Sequence, residues 1–437
     1  MTLVISAFAA VIAASRAGIQ TPPMTIDQAA DLAVERAFAV RLAKTGVDKA
    51  RWAVVERKSA LGPTLSGSAQ YLRFQKANII NLGGNPVVAQ PIDQRTLSAA
   101  FSLPIDISGR IRTGADAARE SLLSQQAQLD AQKLAVRLQA RQAFLAVLRA
   151  QAGQKVAEQA VADATENLRI QQERLKAGDT ARVFVIRAEA QLEAAKSDLI
   201  TAGNNVALSK EFFNNVLAMP IETPVEFADI TELPTLGESP EDAVKMASDS
   251  RPEVRSLERS LKSLDLLKRS EELALRPILA LSLNYQTLLG QIGAFAQRQQ
   301  VTGSLNLNWT VFDNGITRAR VRQVDQDREA LKIQLEQVKL GISLEVRQAW
   351  TNFMNAEARI KTTKKQVELA EENYRIATVR LKAGEGIQLE VTDAQLTLTQ
   401  ARIGFVNAKY DLLTANAELL RATGRDQVPS APTNPSK

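Results

Sequence analysis

The sequence of 437 residues contains no cysteine and no histidine, and only 5% of its residues are aromatic. Without cysteine there is neither a disulfide framework nor a thiolate metal site. Without histidine the commonest general base and metal ligand are missing, so any chemistry would depend on carboxylates, lysines or hydroxyls. The composition therefore disfavours an enzyme, and it predicts no catalytic residue, no cofactor and no metal site.

Long hydrophobic runs are also scarce. Residues 3–14 are almost wholly apolar and are followed by Ser15, Arg16 and Ala17, which predicts a secretory signal peptide over residues 1–17. No basic residue precedes the run, so a wrongly assigned start site or an ordinary buried N-terminus stays an alternative. No later segment approaches the roughly 18 apolar residues of a transmembrane helix. If the mature chain enters a membrane, it must do so as strands.

Charge of one sign is not concentrated anywhere. The net charge of +6 comes from 54 basic and 48 acidic residues that are mixed along the chain. There is no basic block interleaved with aromatic residues, so we expect no nucleic-acid partner. Ala, Leu, Gln, Glu, Arg and Lys dominate instead, a mixture that favours long helices with a narrow apolar seam over a thick globular core.

The chain contains an internal duplication. The sequence Arg-Leu-Lys-Ala-Gly at 174–178 recurs at 380–384, and the same offset of 206 residues pairs 167–170 with 373–376. Each half is predicted as helix, strand, loop, strand, very long helix, tight turn and helix. We expect a first repeat over 18–219, a linker over 220–240, a second repeat over 241–424 and a flexible tail over 425–437.

The long helices are predicted to form coiled coils. Residues 110–176 contain no proline, and as one helix they would extend about 100 Å. In the second half, apolar residues recur at steps of four and three: Leu331, Leu335, Val338, Ile342, Val346, Trp350 and Phe353. Each long helix should turn at Gly178 or Gly384 and return as a shorter antiparallel helix, to about residue 218 or 423.

Four segments alternate with period two, at 65–71, 96–105, 279–285 and 301–312. In the last of them, apolar residues face one way, while Thr302, Ser304 and Asn306 face the other. An ordinary sheet with one buried face would alternate in the same way. The polar face is small and uncharged, however, as suits a wet lumen. Four strands cannot enclose a passage, and unpaired strand edges are not tolerated in lipid. The strands must therefore pair with those of other copies, and three copies would supply twelve strands.

The order of these motifs resembles the TolC family of outer-membrane efflux and secretion channels. The resemblance rests on Pro63 and Pro277 before the first strand of each half, on 106–110 and 312–315 before the long helices, and on the duplicated turn. It implies a mainly α fold with membrane β structure. A homotrimer would form a twelve-stranded β-barrel continuous with a long periplasmic α-helical coiled-coil barrel, and the loops over 76–91 and 290–300 would face the exterior.

The resemblance also implies a function. The chain would be the exit duct of a tripartite efflux pump or type I secretion system, passively conducting drugs, small molecules or proteins. Its partners would be outer-membrane lipid, a periplasmic adaptor protein and an inner-membrane pump of the RND or ABC type. The alternative is a soluble coiled-coil scaffold or adaptor protein with a small β domain. That alternative explains the heptads, but it does not explain duplicated strand pairs with uncharged polar faces.

In the TolC family the pore is narrowest at its periplasmic end, where acidic residues follow the second turn. The resemblance implies that Glu390 and Asp393 form this constriction here. The first half has Phe184 and Arg187 at the equivalent positions. Acids in the first turn of a helix are also favoured by its dipole wherever they point. Some members lock neighbouring hairpins with an Arg and a Tyr. Gly386 and Leu381 occupy those positions here, so such a lock is not expected.

Residues at the two turns are candidate contacts for the adaptor protein. They are basic or glycine in both halves: Arg174, Lys176, Gly178, Arg380, Lys382 and Gly384. Solvated helix ends would have the same composition, so the assignment depends on the resemblance.

Overall fold

A computed structural model describes residues 23–237 and 239–425. The predicted signal peptide at 1–17 and all but the first residue of the predicted tail lie outside the described residues. The first half contains α1 (Ile26–Arg36), α2 (Phe38–Ser59), β1 (Thr64–Arg73), β2 (Asn78–Leu82), β3 (Asn85–Gln90), β4 (Asp93–Ile105), α3 (Arg110–Ala177) and α4 (Arg182–Val216). The second half contains α5 (Pro240–Ser250), α6 (Pro252–Glu272), a 3-10 turn (Leu273–Leu275), β5 (Ile278–Leu289), β6 (Gln299–Asn308), α7 (Ile316–Lys382) and α8 (Gln388–Ala422).

The predicted pair of very long helices is confirmed, with 68 residues in α3 and 67 in α7. Each half differs from the prediction by opening with two helices instead of one. In the second half the break lies at Arg251, whose backbone is extended, because Pro252 restricts the residue before it and cannot continue a helix. Among the described residues, no helix combines the length and the apolar character required to cross a bilayer.

The chain divides into two compact units. One comprises Met1–Ala43, Leu129–Pro252 and Lys339–Lys437, and the other comprises Lys44–Gln128 and Glu253–Val338. Each unit takes segments from both sequence repeats. The repeats are therefore units of duplication, whereas the compact units are set by which segments pack together.

The first unit has an apolar core built from α1, α3, α4, α8 and the segment between the halves. At its centre Phe213 packs on Phe144 and Phe227, with ring centroids 6.1 and 4.9 Å away. The Asn214 side chain donates to the carbonyls of Ile221 and Thr223, at 2.7 and 2.9 Å. These bonds fold the start of the linker back onto the core.

Ion pairs join the short helices of the first unit to its long helices. Arg141 of α3, almost fully buried, lies 2.9 Å from Asp27 of α1. In the second half Arg251, which lies between the two short helices, is 3.2 Å from Glu345 of α7 and also donates to the carbonyl of Ala422. The two pairs do not occupy equivalent positions of the repeats, so each half is held by polar contacts of its own.

The apolar seam of α7 follows steps of four and three, as predicted, with one difference. Ile342, Val346 and Phe353 are buried, but Ala349 fills the position between the last two and Trp350 is only half-buried. Two successive steps of four, from Val338 to Val346, locally change the period of the seam, and this carries Trp350 off its centre.

An aspartate precedes the start of each long helix. The Asp106 carboxylate accepts from the amide of Arg112 at 2.9 Å, and that of Asp313 accepts from the amides of Gly315 and Thr317 at 3.0 and 2.7 Å. These bonds satisfy amides that a helix start otherwise leaves unpaired. The side chain and amide of Thr317 hold the pKa of the Asp313 carboxyl below its usual value.

Removing the buried ring of Phe213 should destabilise the first unit. Phe213→Ala deletes a side chain with 0% exposure and leaves a cavity, which costs about 3–5 kcal/mol. Chemical denaturation followed by circular dichroism measures the loss. Phe295→Ala is the control, because Phe295 is 67% exposed and its removal should cost under about 1 kcal/mol. Equal losses in the two variants would contradict this account of the core.

The Asp313 cap should make stability depend on pH. A carboxyl whose pKa is lowered on folding stabilises the fold above its unfolded pKa, and this contribution is lost as the pH falls through the lowered value. Asp313→Asn should therefore be less stable than the parent at pH 7, with the gap closing in acid. Thermal midpoints of both proteins between pH 7 and pH 3 test this, and a gap that widens in acid would refute it.

Candidate functional site: the two-faced sheet and the hairpin turns

The four predicted strands form one antiparallel sheet in the order β1-β4-β5-β6. The register pairs Ser68 with Ser98 between β1 and β4, Ala99 with Tyr285 between β4 and β5, and Tyr285 with Val301 between β5 and β6. Within the described chain, β1 and β6 are the two edges of this sheet and each pairs on one side only.

The register places like residues in rows across the sheet and so separates two faces. On one face the rows are Leu65, Phe101, Leu283 and Gly303; Gly67, Ala99, Tyr285 and Val301; and Leu103, Leu281 and Leu305. On the other face they are Thr64, Ser102, Ser282 and Ser304; Ser66, Ala100, Asn284 and Thr302; and Ser68, Ser98, Gln286 and Gln300. The first face is largely apolar and exposed in the single chain, with Val301 at 74%. The second is small, polar and uncharged.

Strand lengths differ from the prediction. The first and third strands are longer, with 10 and 12 residues, while β6 ends at Asn308 instead of residue 312. Beyond Asn308 the indole of Trp309 donates to the carbonyl of Leu275 at 3.0 Å, and Phe312 is 81% exposed. The chain leaves the sheet early because Asp313 already belongs to the turn that starts α7.

The loop over 76–91 contains a feature that the sequence did not indicate. It forms a second hairpin of β2 and β3, and the amide of Ala294 in the other loop donates to the carbonyl of Val88 at 2.9 Å. The two loops predicted to face the exterior are therefore joined to each other. The two strands have only 5 and 6 residues, and their β-branched residues form the adjacent pairs Ile79-Ile80 and Val87-Val88. Neither strand therefore shows the period-two alternation by which a strand is recognised in a sequence.

Both predicted turns have the backbone conformation expected of them. Gly178 and Gly384 have φ values of 84° and 78°, in the region that favours glycine. The amide of Asp179 donates to the carbonyl of Arg174 at 2.9 Å, and that of Glu385 to the carbonyl of Arg380 at 3.0 Å. Each turn thus closes a helix in the same way.

The two predicted pore acids lie in different surroundings. Glu390 is paired with Arg380 across the turn, with the guanidinium and carboxylate 3.4 Å apart, and Arg380 also donates to the carbonyl of Glu385. Asp393 is exposed, and in the described chain its carboxylate has no hydrogen bond or ion pair. The pairing of Arg380 with Glu390 was not predicted, although the two residues lie equally far from Glu385 in sequence.

The first hairpin presents a different chemistry at the equivalent positions. The Arg187 guanidinium lies 5.9 Å from the centre of the Phe184 ring, a cation–π contact instead of an acid. Leu381, at one of the positions where some family members have a locking residue, is buried with Ala377 and Val391. A Cβ on Gly386 would lie 3.1 Å from the Cβ of Arg380, so a larger side chain there would displace the turn.

The predicted docking residues are mostly accessible. Lys176, Gly178, Lys382 and Gly384 are exposed, and Arg174 is half-buried. Arg380 is exposed, but its guanidinium is already held by Glu390 and Glu385. The exposed lysines are therefore better suited than Arg380 to contact a partner. In the described chain, no cluster of acidic side chains is close enough to hold a metal ion.

The family model described as outer membrane efflux protein matches residues 29–211 and again 243–425, most of the chain and once per repeat. The chain belongs to the outer membrane efflux protein family. This membership places it in the outer membrane and favours a channel over the soluble scaffold considered from the sequence.

Individual relatives of this outer membrane efflux protein are distant. Nodulation protein T of Rhizobium leguminosarum bv. viciae is 24% identical over 330 residues, which are 72% of this chain and 66% of that protein, just under two thirds of its length. The CmeC outer membrane channel of Campylobacter jejuni has a TM-score of 0.76 at 18% identity, over 91% of this chain and 85% of that one. VceC of Vibrio cholerae has a TM-score of 0.77 at 16% identity, over 92% and 96%.

Proposed function

We propose that the protein is the exit duct of an export machine, through which small molecules or proteins leave the periplasm passively. The observation that carries this proposal is the two-faced sheet. Its apolar face suits lipid and its small polar face suits a water-filled lumen, as in transmembrane barrels. The two long antiparallel hairpins would prolong the passage into the periplasm. Family membership supports the same function.

The sheet supports a homotrimer. Its outer strands, β1 and β6, each have one side without a strand partner in the described chain. Backbone groups left unpaired in lipid cost several kcal/mol each, so an open sheet of four strands is not viable there. Pairing β1 of one copy with β6 of the next satisfies both edges. Three copies give twelve strands, enough to surround a passage.

Mass measurement tests the trimer. Protein extracted from the outer-membrane fraction in mild detergent should have three times the mass of the mature chain, and its mobility in SDS gels should change on heating. Barrel closure accounts for both results, because the hydrogen bonds between copies resist detergent until they are melted. A monomer that is fully soluble without detergent would exclude the proposal.

The acids after the second turn support a cation-attracting constriction. Glu390 and Asp393 lie three residues apart in the first turns of α8, so they share a face of that helix. In a trimer Asp393 would contribute three carboxylates whose charge is not offset within the protomer. Glu390 would contribute less, because Arg380 lies beside it. Rings of this kind select ions without any catalytic chemistry.

Conductance in planar bilayers tests the constriction. Asp393→Asn should lower the preference for cations, measured from the reversal potential in a salt gradient, and Glu390→Gln should lower it less. Arg380→Ala should raise it by unmasking Glu390. Arg174→Ala is the matched control, because Arg174 occupies the same position in the first hairpin, where Phe184 stands in place of the acid. Unchanged selectivity in both acid variants would defeat the assignment.

The exposed turns support docking of a periplasmic adaptor protein, which would connect the duct to an inner-membrane pump of the RND or ABC type. Gly178 and Gly384 leave each turn without a side chain, while Lys176 and Lys382 supply an exposed positive charge at each. A partner with acidic side chains would be recognised at two similar sites in each copy.

Charge reversal tests the docking. Lys176→Glu combined with Lys382→Glu should reduce co-purification of a co-expressed periplasmic adaptor protein by about tenfold, since the opposite charge would repel its acids. Lys361→Glu is the control, because Lys361 is equally exposed but lies on α7, away from both turns. An equal loss in the control would show a general charge effect instead of docking.

A further inference from the structure

Three amide side chains are buried together between the two hairpins. Asn167 and Gln171 of α3 and Gln388 of α8 have exposures of 3%, 0% and 8%. Gln171 donates to the oxygen of Gln388, and Gln388 donates to the oxygen of Asn167 at 2.9 Å. Buried amides between coiled helices are uncommon because apolar side chains would pack there at lower cost.

Two atoms of this cluster have no partner, and they complement each other. They are the Asn167 nitrogen, which is a donor, and the Gln171 oxygen, which is an acceptor. Their residues are four apart on α3 and so share a face of the helix. A direct bond, or one water between them, would close a ring in which each amide donates once and accepts once. Such a ring is complete only in one alignment of α8 on α3.

Other contacts between α3 and α8 follow the same alignment but are more exposed. Arg149 pairs with Asp411 at 2.5 Å, and Asp163 with Arg402 at 3.4 Å. Ion pairs accessible to water can be remade after a slip, so they set the alignment only weakly. The seam inside the second hairpin is instead apolar, with Leu381 of α7 against Val391 of α8. The amide cluster is thus the most specific contact between the hairpins near the turns.

We propose that Asn167, Gln171 and Gln388 form a polar key that fixes the alignment of α8 on α3 and thereby positions Asp393. Gln388 is the first residue of α8, and Asp393 follows it by little more than one turn. A slip of α8 by one turn would move the Asp393 carboxylate by about 5 Å along the helix. The role assigned to Asp393 depends on the proposed constriction, whereas the alignment does not.

The absence of cysteine allows the alignment to be measured directly. Spin labels at Thr165→Cys and Thr397→Cys, both exposed sites, report the distance between α3 and α8 in assemblies prepared with excess unlabelled chain. Gln388→Leu alone should lower the thermal midpoint, because it leaves two buried amides without their partner. Replacing all three amides by leucine should restore the midpoint, since no polar group is then stranded. The distance distribution should nevertheless broaden or shift by about 5 Å or more.

Asn373→Leu is the matched control. Asn373 is the counterpart of Asn167 in the second repeat, but it is exposed, so its replacement should change neither the midpoint nor the distance. A narrow, unshifted distribution in the triple leucine variant would overturn the key.

The positioning role has its own readout. Asp393→Asn should change cation preference at least twofold less in the triple leucine background than in the parent, and an equal effect in both would overturn positioning. If Asp393→Asn has no effect in the parent, the proposed constriction is wrong. The spin-label distances then still test whether the three amides fix the alignment of α8 on α3.

Discussion

The backbone hydrogen bonds at the edges of the four-stranded sheet are the constraint on which the rest of the architecture depends. Within one chain, β1 and β6 can each satisfy only one side. In water an edge strand can be solvated, but in lipid it cannot. A chain with this sheet must therefore assemble before or while it enters a membrane. The apolar and polar rows make only one direction of closure favourable, with the small polar side chains inside.

Duplication creates a second problem, because two similar halves can pair wrongly. The ion pairs that hold the short helices on the long ones differ in position between the halves, with Asp27 opposite Arg141 in one and Arg251 opposite Glu345 in the other. In a wrongly docked helix the buried guanidinium of Arg251 would lose Glu345, and an uncompensated buried charge is costly. Inside the second hairpin the two helices pack through apolar side chains. The contacts between the hairpins include polar groups whose hydrogen bonds form in only one alignment. Apolar packing thus supplies stability and polar pairing supplies specificity.

Much of this could be predicted from the sequence because repeats, heptads and period-two strands are local patterns. The long helices and the sheet faces follow from spacing alone. The end of β6 could not be predicted, because Val311 continues the alternation and only the turn at Asp313 interrupts it. The burial of Ala349 instead of Trp350 depends on a local change of period. The amide cluster was missed because Asn167 and Gln388 are far apart in sequence, and polar residues on a long helix usually face water.

The pairing of Arg380 with Glu390 could have been found, since residues equally distant from a tight turn face each other in an antiparallel hairpin. Applied to the first hairpin, the same rule places Arg174 opposite Phe184, which has no carboxylate to form an ion pair. The two hairpins are therefore alike in backbone and different in electrostatics. A negative charge close to its own cation has a weak field beyond a few ångströms. Of the two acids that follow the second turn, Asp393 then contributes more to any long-range attraction than Glu390, so the exact placement of Asp393 matters more.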